Sequence, residues 1–250
     1  MLKEERYDKI IEILEEEKYI SVQELSKRLY VSLPTIRRDL TELQKRKLII
    51  RSHAGAKIIN TSHAVAPLNF RKATNSVEKR KLCKAAAKLV NEGDVIFIDA
   101  STTTLQIAEF LGDKKNITVI TNGIPLATLL ISKGIKTYST GGEIFSNSLA
   151  HYGSFSEDFI QKFNIDTLIL SSHGVNEKGM LIDPSLPETQ IRKVALNQSR
   201  KSIFLCDKTK FSLSAPYNLI SIKKMDYIIT NNEDVKNFFT PDDTNKIIIV

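Results

Sequence analysis

Val31-Ser32-Leu33-Pro34-Thr35-Ile36-Arg37-Arg38-Asp39-Leu40-Thr41-Glu42-Leu43 reads as one short helix whose start is written into the chain. Ser32 is a residue type that caps a helix, and Pro34 falls in the first turn, where a missing amide costs nothing. Ile36, Leu40 and Leu43 recur at i, i+4 and i+7, the spacing of a buried stripe. Thr35, Arg37, Arg38 and Gln44 are left off it. Upstream, Ser21-Val22-Gln23-Glu24 has the spacing of a capping box, in which Ser21 accepts from the Glu24 amide and the Glu24 side chain reaches back. It opens a helix with Val22, Leu25 and Leu29 inward, and Tyr30-Val31 makes the corner between the two helices. Residues 4–17 form an earlier amphipathic helix through Tyr7, Ile10, Ile11 and Leu14. Downstream, Leu48-Ile49-Ile50-Arg51 and Ala56-Lys57-Ile58-Ile59 flank Ser52-His53-Ala54-Gly55, a hairpin pattern. Two short helices around a tight corner, followed by a hairpin, predict a winged helix-turn-helix.

Charge sharpens this reading. Residues 27–57 hold nine Lys and Arg against Asp39 and Glu42, whereas residues 1–26 hold four against eight acids. A basic segment centred on the second helix is the footprint of a nucleic-acid contact. Ser32 and Thr35 at the helix start can reach phosphates or base edges. Arg37 and Arg38 can neutralise phosphates or take a guanine edge bidentately. Ser21, Pro34, Arg51 and His53 complete the candidate DNA-binding set, the last two on the wing.

Residues 60–75 lose both periodicities and read as a connection. Behind them the pattern alternates. A helix over 78–91, with Leu82, Ala86, Leu89 and Val90 inward, precedes the apolar strand Val95-Ile96-Phe97-Ile98. A helix through Leu105, Ile107, Ala108 and Leu111 follows, and another through Leu126, Leu129 and Leu130. Further strands are predicted at 117–120, 135–138, 167–170, 202–205, 227–230 and 246–249. Unbroken β-branched runs alternating with helices argue for a mostly parallel sheet covered on both faces.

Ligands of such sheets bind outside the carboxyl ends of the strands. The residues there form a coherent set: Asp99, Ser101, Thr102, Thr103 and Thr104, then Thr121 and Asn122, then Gly141 and Gly142. Gly174 follows Ser171-Ser172-His173, and Asp207 and Lys210 follow the strand at 202–205. Hydroxylated residues at a strand-to-helix turn offer donors to an anion. Lys210 supplies a matching charge, and Asp99 and Asp207 are acceptors for sugar hydroxyls. Glu188 adds a carboxylate if 188–199 form a helix after Pro187. These features predict a sugar-phosphate pocket, and His173 reads as a loop residue.

Composition bounds the rest. The 250 residues carry a net charge of +7, with 42% hydrophobic and 26% charged side chains, which excludes wholesale disorder. Cys83 and Cys206 stand far apart, as in a chain from a reducing cytosol rather than one with a disulfide framework. Charges at Lys3-Glu4-Glu5-Arg6 argue against a secretory leader, and no apolar run approaches a membrane span. No phosphate-binding glycine loop and no zinc-ligand spacing occurs, so neither metal nor cofactor is expected.

The segment Val31–Leu43 resembles the recognition-helix signature of the DeoR-type repressors of sugar metabolism. Arg51-Ser52-His53-Ala54-Gly55-Ala56 is similar to that family's Arg-x-His-Gly-Gly-Ala wing, with Ala54 in place of the first glycine. Glu78-Lys79-Arg80, Asp99–Thr104, Thr121-Asn122, Gly141-Gly142 and Asp207-Lys208-Thr209-Lys210-Phe211 resemble its effector domain, with Ser101 where glycine is usual. The resemblance implies an effector domain like ribose-5-phosphate isomerase and release from operator DNA by phosphorylated sugars or sugar derivatives. It also implies a homo-oligomer, dimer or tetramer, in the bacterial cytoplasm. The expected organisation is a DNA-binding domain over 1–59, a linker over 60–75 and an effector and oligomerisation domain over 76–250. The expected function is a non-enzymatic repressor of a carbohydrate-utilisation operon. The alternative is a sugar-phosphate isomerase with an appended DNA-binding domain, which needs a carboxylate base beside the substrate carbonyl, with Asp99, Glu188 and Asp207 as the candidates.

Overall fold

The computed structural model describes residues 3–17, 19–45, 49–52, 54–58 and 68–250. The chain divides into two compact units between Thr74 and Asn75.

In the first unit, α1 (Lys3–Glu17), β1 (Tyr19–Ser21), α2 (Val22–Leu29) and α3 (Leu33–Lys45) are followed by β2 (Ile49–Arg51) and β3 (Gly55–Ile58). The strands form an antiparallel sheet in the order β1-β3-β2. β1 was not foreseen, because three residues between two helices are too few to show alternation. Gly55, opposite Ser21, explains why the tip tolerates no side chain there: a Cβ would lie 2.2 Å from the Ile20 carbonyl oxygen. Ile10, Leu14, Leu25, Ile36, Leu40, Leu43 and Ile49 close the core, as their periodicity predicted. Tyr30 takes the left-handed conformation (φ 53°), which turns the chain from α2 into α3. Inside the predicted connection, Leu68–Ala73 forms a short helix, α4.

The second unit begins with α5 (Ser76–Lys88), β4 (Val95–Ile98) and β5 (Thr118–Thr121). α6 (Ile124–Ser132), β6 (Lys136–Ser139), β7 (Glu143–Phe145) and β8 (Ala150–Tyr152) follow. Then come α7 (Ser154–Ile160), β9 (Ile165–Leu170), β10 (Gly174–Val175), β11 (Met180–Asp183) and α8 (Leu186–Gln198). β12 (Ser199–Cys206), β13 (Tyr217–Ser221), β14 (Tyr227–Thr230) and β15 (Ile247–Ile249) complete it. Seven strands make one sheet in the order β15-β14-β12-β9-β4-β5-β6, and every pair in it is parallel. Ile96 and Ile98 of β4 pack with Leu82 of α5 and Leu130 of α6 on one face. Phe97 packs with Ile191 and Ala195 of α8 on the other. This two-sided burial is why the strands read as continuous apolar runs.

Three features depart from the sequence reading. The helix expected through 105–111 is a 3-10 segment, Thr104–Glu109. Its first residue is tied back, Thr104 Oγ1 lying 2.8 Å from the Asp99 carbonyl oxygen and 3.1 Å from that of Ser101, so that its one proton is shared among oxygens of the turn, and 3-10 geometry suits so short a piece. β5 and β6 each begin one residue later than predicted. The β7–β8 hairpin, α7 and the small antiparallel sheet β10-β11-β13 were not anticipated. They fill the spaces between main-sheet strands with elements too short to show a period.

Candidate functional site

In the first unit, α3 buries Ile36, Asp39, Leu40 and Leu43 and leaves Ser32, Pro34, Arg37 and Arg38 exposed, with Thr35 half-buried. The Ser32 hydroxyl lies 2.9 Å from that of Thr35, so two adjustable donors sit together at the helix start. Asp39 is the member of the motif that spacing did not explain. It is buried and accepts from Arg6 of α1 at 2.5 Å (Nε) and 3.1 Å (Nη2). Its hydrogen bond raises the Arg6 pKa, and the pair locks α1 to α3. Thus the charged motif divides its labour: Arg37 and Arg38 face solvent while Asp39 fixes the orientation of the helix that carries them.

The other candidates take different places. Ser21 Oγ accepts from the Glu24 amide (3.0 Å), so its hydroxyl is committed to capping α2. The reciprocal half of the predicted capping box is not made, because the Glu24 carboxylate pairs with Arg28 Nε at 3.0 Å. Arg51 is half-buried and donates to Thr41 Oγ1 at 2.7 Å, which ties the wing to α3. His53 lies outside the described residues.

In the second unit, the parallel sheet brings most of the predicted strand-end residues together. Asp99 is the hub. Its Oδ2 accepts from Arg192 Nε (2.9 Å) and the Ser171 amide (3.4 Å). Its Oδ1 accepts from Thr104 Oγ1 (3.0 Å) and the Ser101 amide (3.4 Å). These contacts make Asp99 the anchor of the turn. Asn122 joins β5 to the same turn, its Oδ1 accepting from the Ala100 amide at 3.0 Å. Thr121 Oγ1 accepts from the Gly123 amide (3.0 Å). Asp207 Oδ1 accepts from the Thr209 amide (3.0 Å) and from Asn75 Nδ2 (3.3 Å), so it braces its own loop.

Lys210 and Lys79 supply the positive charge. Lys210 Nζ donates to Ser171 Oγ and to the Ser172 carbonyl, both at 2.8 Å, which engages two of its three donors among the described residues. Burial lowers its pKa from the ordinary lysine value, against the opposing pull of Asp207. Lys79 of α5 is buried and lies 3.3 Å from Thr102 Oγ1. Thr103 is fully buried and its Oγ1 has no hydrogen-bond partner among the described residues. Cys83 Sγ donates to the Thr103 carbonyl at 2.9 Å, and burial pushes its thiol pKa up.

Arg192 and Asp183 were missed by sequence reasoning. Arg192 is buried and its Nη1 lies 2.8 Å from Asp183 Oδ1 and 3.6 Å from Glu188 Oε2. Burial alone would lower its pKa, but the carboxylates of Asp183, Asp99 and Glu188 outweigh that and raise it well above the ordinary value. Glu188 does sit in the first turn of a helix, as predicted, and faces Arg192. Asp183 also accepts from the His173 amide (3.0 Å), and so fixes the loop after β9. A signal was present in both helices. Lys79 shares a three-and-four spacing with Leu82, Cys83 and Ala86, and Arg192 shares one with Thr189 and Ala195. A cation on a buried stripe needs a partner inside.

Gly141 and Gly142 follow β6, somewhat apart from this hub. Gly142 has φ +109°, and a Cβ there would lie 2.6 Å from the Tyr152 carbonyl oxygen, so only glycine fits. Both glycines line a cleft of about 890 Å³ with Glu143, Tyr152, Phe155 and Lys162. The Ser101–Thr104 turn and Lys210 are not in its walls. Gly174 opens β10, and its neighbour Val175 bridges to Phe211 beside the Lys210 loop.

Two family models match the chain. The DeoR-like helix-turn-helix domain covers residues 6–62, and the DeoR C terminal sensor domain covers residues 74–232. The chain belongs to the DeoR family. Among DeoR-type regulators it is similar to the glycerol-3-phosphate regulon repressor of Escherichia coli (strain K12), 32% identical over 232 residues and 92% of each chain. It is also 30% identical to the transcriptional repressor AccR of Agrobacterium fabrum over 92% of this chain and 90% of that one. Ribose 5-phosphate isomerase A of Methanocaldococcus jannaschii matches 55% of each chain at 19% identity, with a TM-score of 0.42. For a DeoR-family member, the exposed arginines of α3 lie within the helix-turn-helix match, and Lys79, Asp99, Arg192 and Lys210 lie within the sensor match. Among the described residues, no helix is long and apolar enough to cross a membrane.

Proposed function

We propose that this chain is a repressor of a carbohydrate-utilisation operon in the bacterial cytoplasm, held on double-stranded operator DNA by α3 and released by a phosphorylated sugar. Arg37 and Arg38, with Ser32, Pro34 and Thr35 at the helix start, enter the major groove, and the wing with Arg51 and His53 follows the backbone. Two copies read two half-sites one helical turn, or a multiple of it, apart. The phosphate is held between the Ser101–Thr104 turn, Lys79 and Lys210. Thr121, Asn122, Gly174, Glu188 and Asp207 shape the remaining walls, and Gly141 and Gly142 serve the effector from the adjoining cleft after β6.

The observation that carries the effector half is the pair of lysines drawn in beside a hydroxyl-rich turn. A partly desolvated ammonium with a third donor favours an anion. The relative named for a glycerol-3-phosphate regulon supports a phosphorylated polyol or sugar. Release requires that the effector bind one arrangement of the subunits better than the other, and that difference in affinity limits the coupling. The reading includes no turnover: Asp99, the carboxylate at the centre of the site, is engaged by Arg192.

The test is fluorescence anisotropy of the protein on its own upstream DNA at two salt concentrations, titrated with sugar phosphates and the matching free sugars. Salt-sensitive binding abolished by one phosphorylated sugar is expected, with a slope reflecting roughly six to ten phosphate contacts. Binding without sequence preference, together with isomerisation of an aldose phosphate, would contradict the proposal.

A further inference from the structure

Six of the fourteen exposed large apolar side chains among the described residues fall between Leu129 and Phe155. They are Leu129 and Ile131 on α6, Tyr138 on β6, Ile144 and Leu149 on and beside the β7–β8 hairpin, and Phe155 at the start of α7. All four elements surround one feature. β6 ends the seven-stranded sheet, and its outer edge pairs with no strand among the described residues. α6 carries no charged residue from Ile124 to Ser132, although Leu129 and Ile131 face solvent. Exposed apolar groups gathered at an open strand edge mark a docking surface and, left bare, an aggregation hazard.

We infer that this edge is where a second copy of the chain docks, with β6 pairing antiparallel to β6 of the partner across a two-fold axis. Charge selects both the occupant and the direction. α6 returns from the carboxyl end of β5 to the amino end of β6, so Lys133 and Lys136 lie at the amino end. Glu143 follows the carboxyl end. The Ser156 hydroxyl donates to the Gly141 carbonyl, which brings Glu157 and Asp158 of α7 to the same end. Lys162 lines the same cleft as Glu143 and Asp158, so three acids stand against one lysine there, and the edge is basic at its amino end and net acidic at the other. Antiparallel self-pairing sets the basic end of each copy against the acidic end of its partner, whereas parallel pairing sets like against like. A two-fold interface must be complementary to itself in this way. Unpaired edge amides and carbonyls supply the main-chain bonds, and the apolar groups on α6, the hairpin and α7 flank them.

The inference rests on the proposed function only for its expectation of two copies. It also gives that function a route: Gly141 and Gly142 belong both to the strand ends and to the cleft beside this edge, so a ligand reaching them touches the interface.

Sedimentation velocity on the full chain over a wide concentration range tests it, with circular dichroism to show that each variant folds. The parent associates. Leu129→Glu combined with Phe155→Glu weakens association at least about tenfold, equivalent to ~1.4 kcal/mol. Val77→Glu, at an exposed apolar position on α5, leaves it unchanged. Lys136→Glu alone weakens association, and adding Glu143→Lys restores it, a rescue that a merely structural role would not produce. A parent that stays monomeric at every concentration overturns both this surface and the two-copy reading. A parent that associates while all the edge variants associate equally well overturns the surface alone.

Discussion

On α3, Arg37 and Arg38 stand in solvent and make no ion pair among the described residues. At the strand ends of the second unit, Arg192 and Lys79 are buried and Lys210 is half-buried, each held by named partners. On the proposed function the two regions use the same positive charge for different ends. A DNA backbone is a long, regular polyanion, and solvated side chains on a rigid helix can meet it by releasing counterions. A small phosphate offers little area, so its site must be arranged beforehand, with donors fixed and partly desolvated. The first arrangement leaves folding almost indifferent to the charges that do the work. The second ties stability and recognition to the same residues.

The two regions differ most at Arg192. Replacing it by Met leaves Asp99 and Asp183 buried without their cation, and about 3–5 kcal/mol of stability should be lost from the second unit. Calorimetry should show that unit melting early. If Arg192→Met melts like the parent, the buried network is not what holds the strand ends. Arg6→Ala should do the same to the first unit on a smaller scale, roughly 1–3 kcal/mol, because Arg6 is partly exposed and Asp39 can take up water. It should lower operator binding on warming while leaving the second unit's transition in place.

Arg38→Ala is the contrasting case. It should cost about 1–3 kcal/mol of operator affinity with no measurable change in either melting transition. A variant that binds as tightly as the parent would remove α3 from the interface. Ser21→Ala should have the smallest effect, about 1 kcal/mol of stability through loss of the α2 cap, and no specific effect on affinity at low temperature. A large affinity loss in a fully folded Ser21→Ala protein would show that the hydroxyl contacts DNA after all.

The helix-turn-helix was legible because its signals are local. A cap, a proline in the first turn and a stripe at three- and four-residue spacing occupy thirteen consecutive residues. The parallel sheet was legible because strands buried on both faces become unbroken apolar runs. What stayed hidden depends on distant partners. Asp39 looks like a surface acid until Arg6 arrives from 33 residues away, and Arg192 looks like a surface cation on α8 until Asp99 arrives from 93. Asp99 was legible as a strand-end residue, but its bond to Arg192 was not, since nothing in the turn itself points to α8. The β7–β8 hairpin and α7 lacked the length to show a period. They nonetheless build the edge on which a partner is proposed to dock.

Lys210 sits where the two uses of charge meet, since it should govern release from DNA without touching DNA. Its lowered pKa gives the sign of the pH dependence. The ammonium binds phosphate and the neutral amine does not, so effector affinity should be full at low pH and fall as pH rises through a value below the ordinary lysine range. The most direct measurement is therefore a titration of the phosphorylated effector into the protein–operator complex, for the parent and for Lys210→Met, across that pH range. If Lys210 holds the phosphate, the two proteins bind operator equally, release of the parent weakens with rising pH, and Lys210→Met is not released at concentrations that free the parent. Release of both proteins at the same effector concentration and with the same pH profile would contradict that role for Lys210.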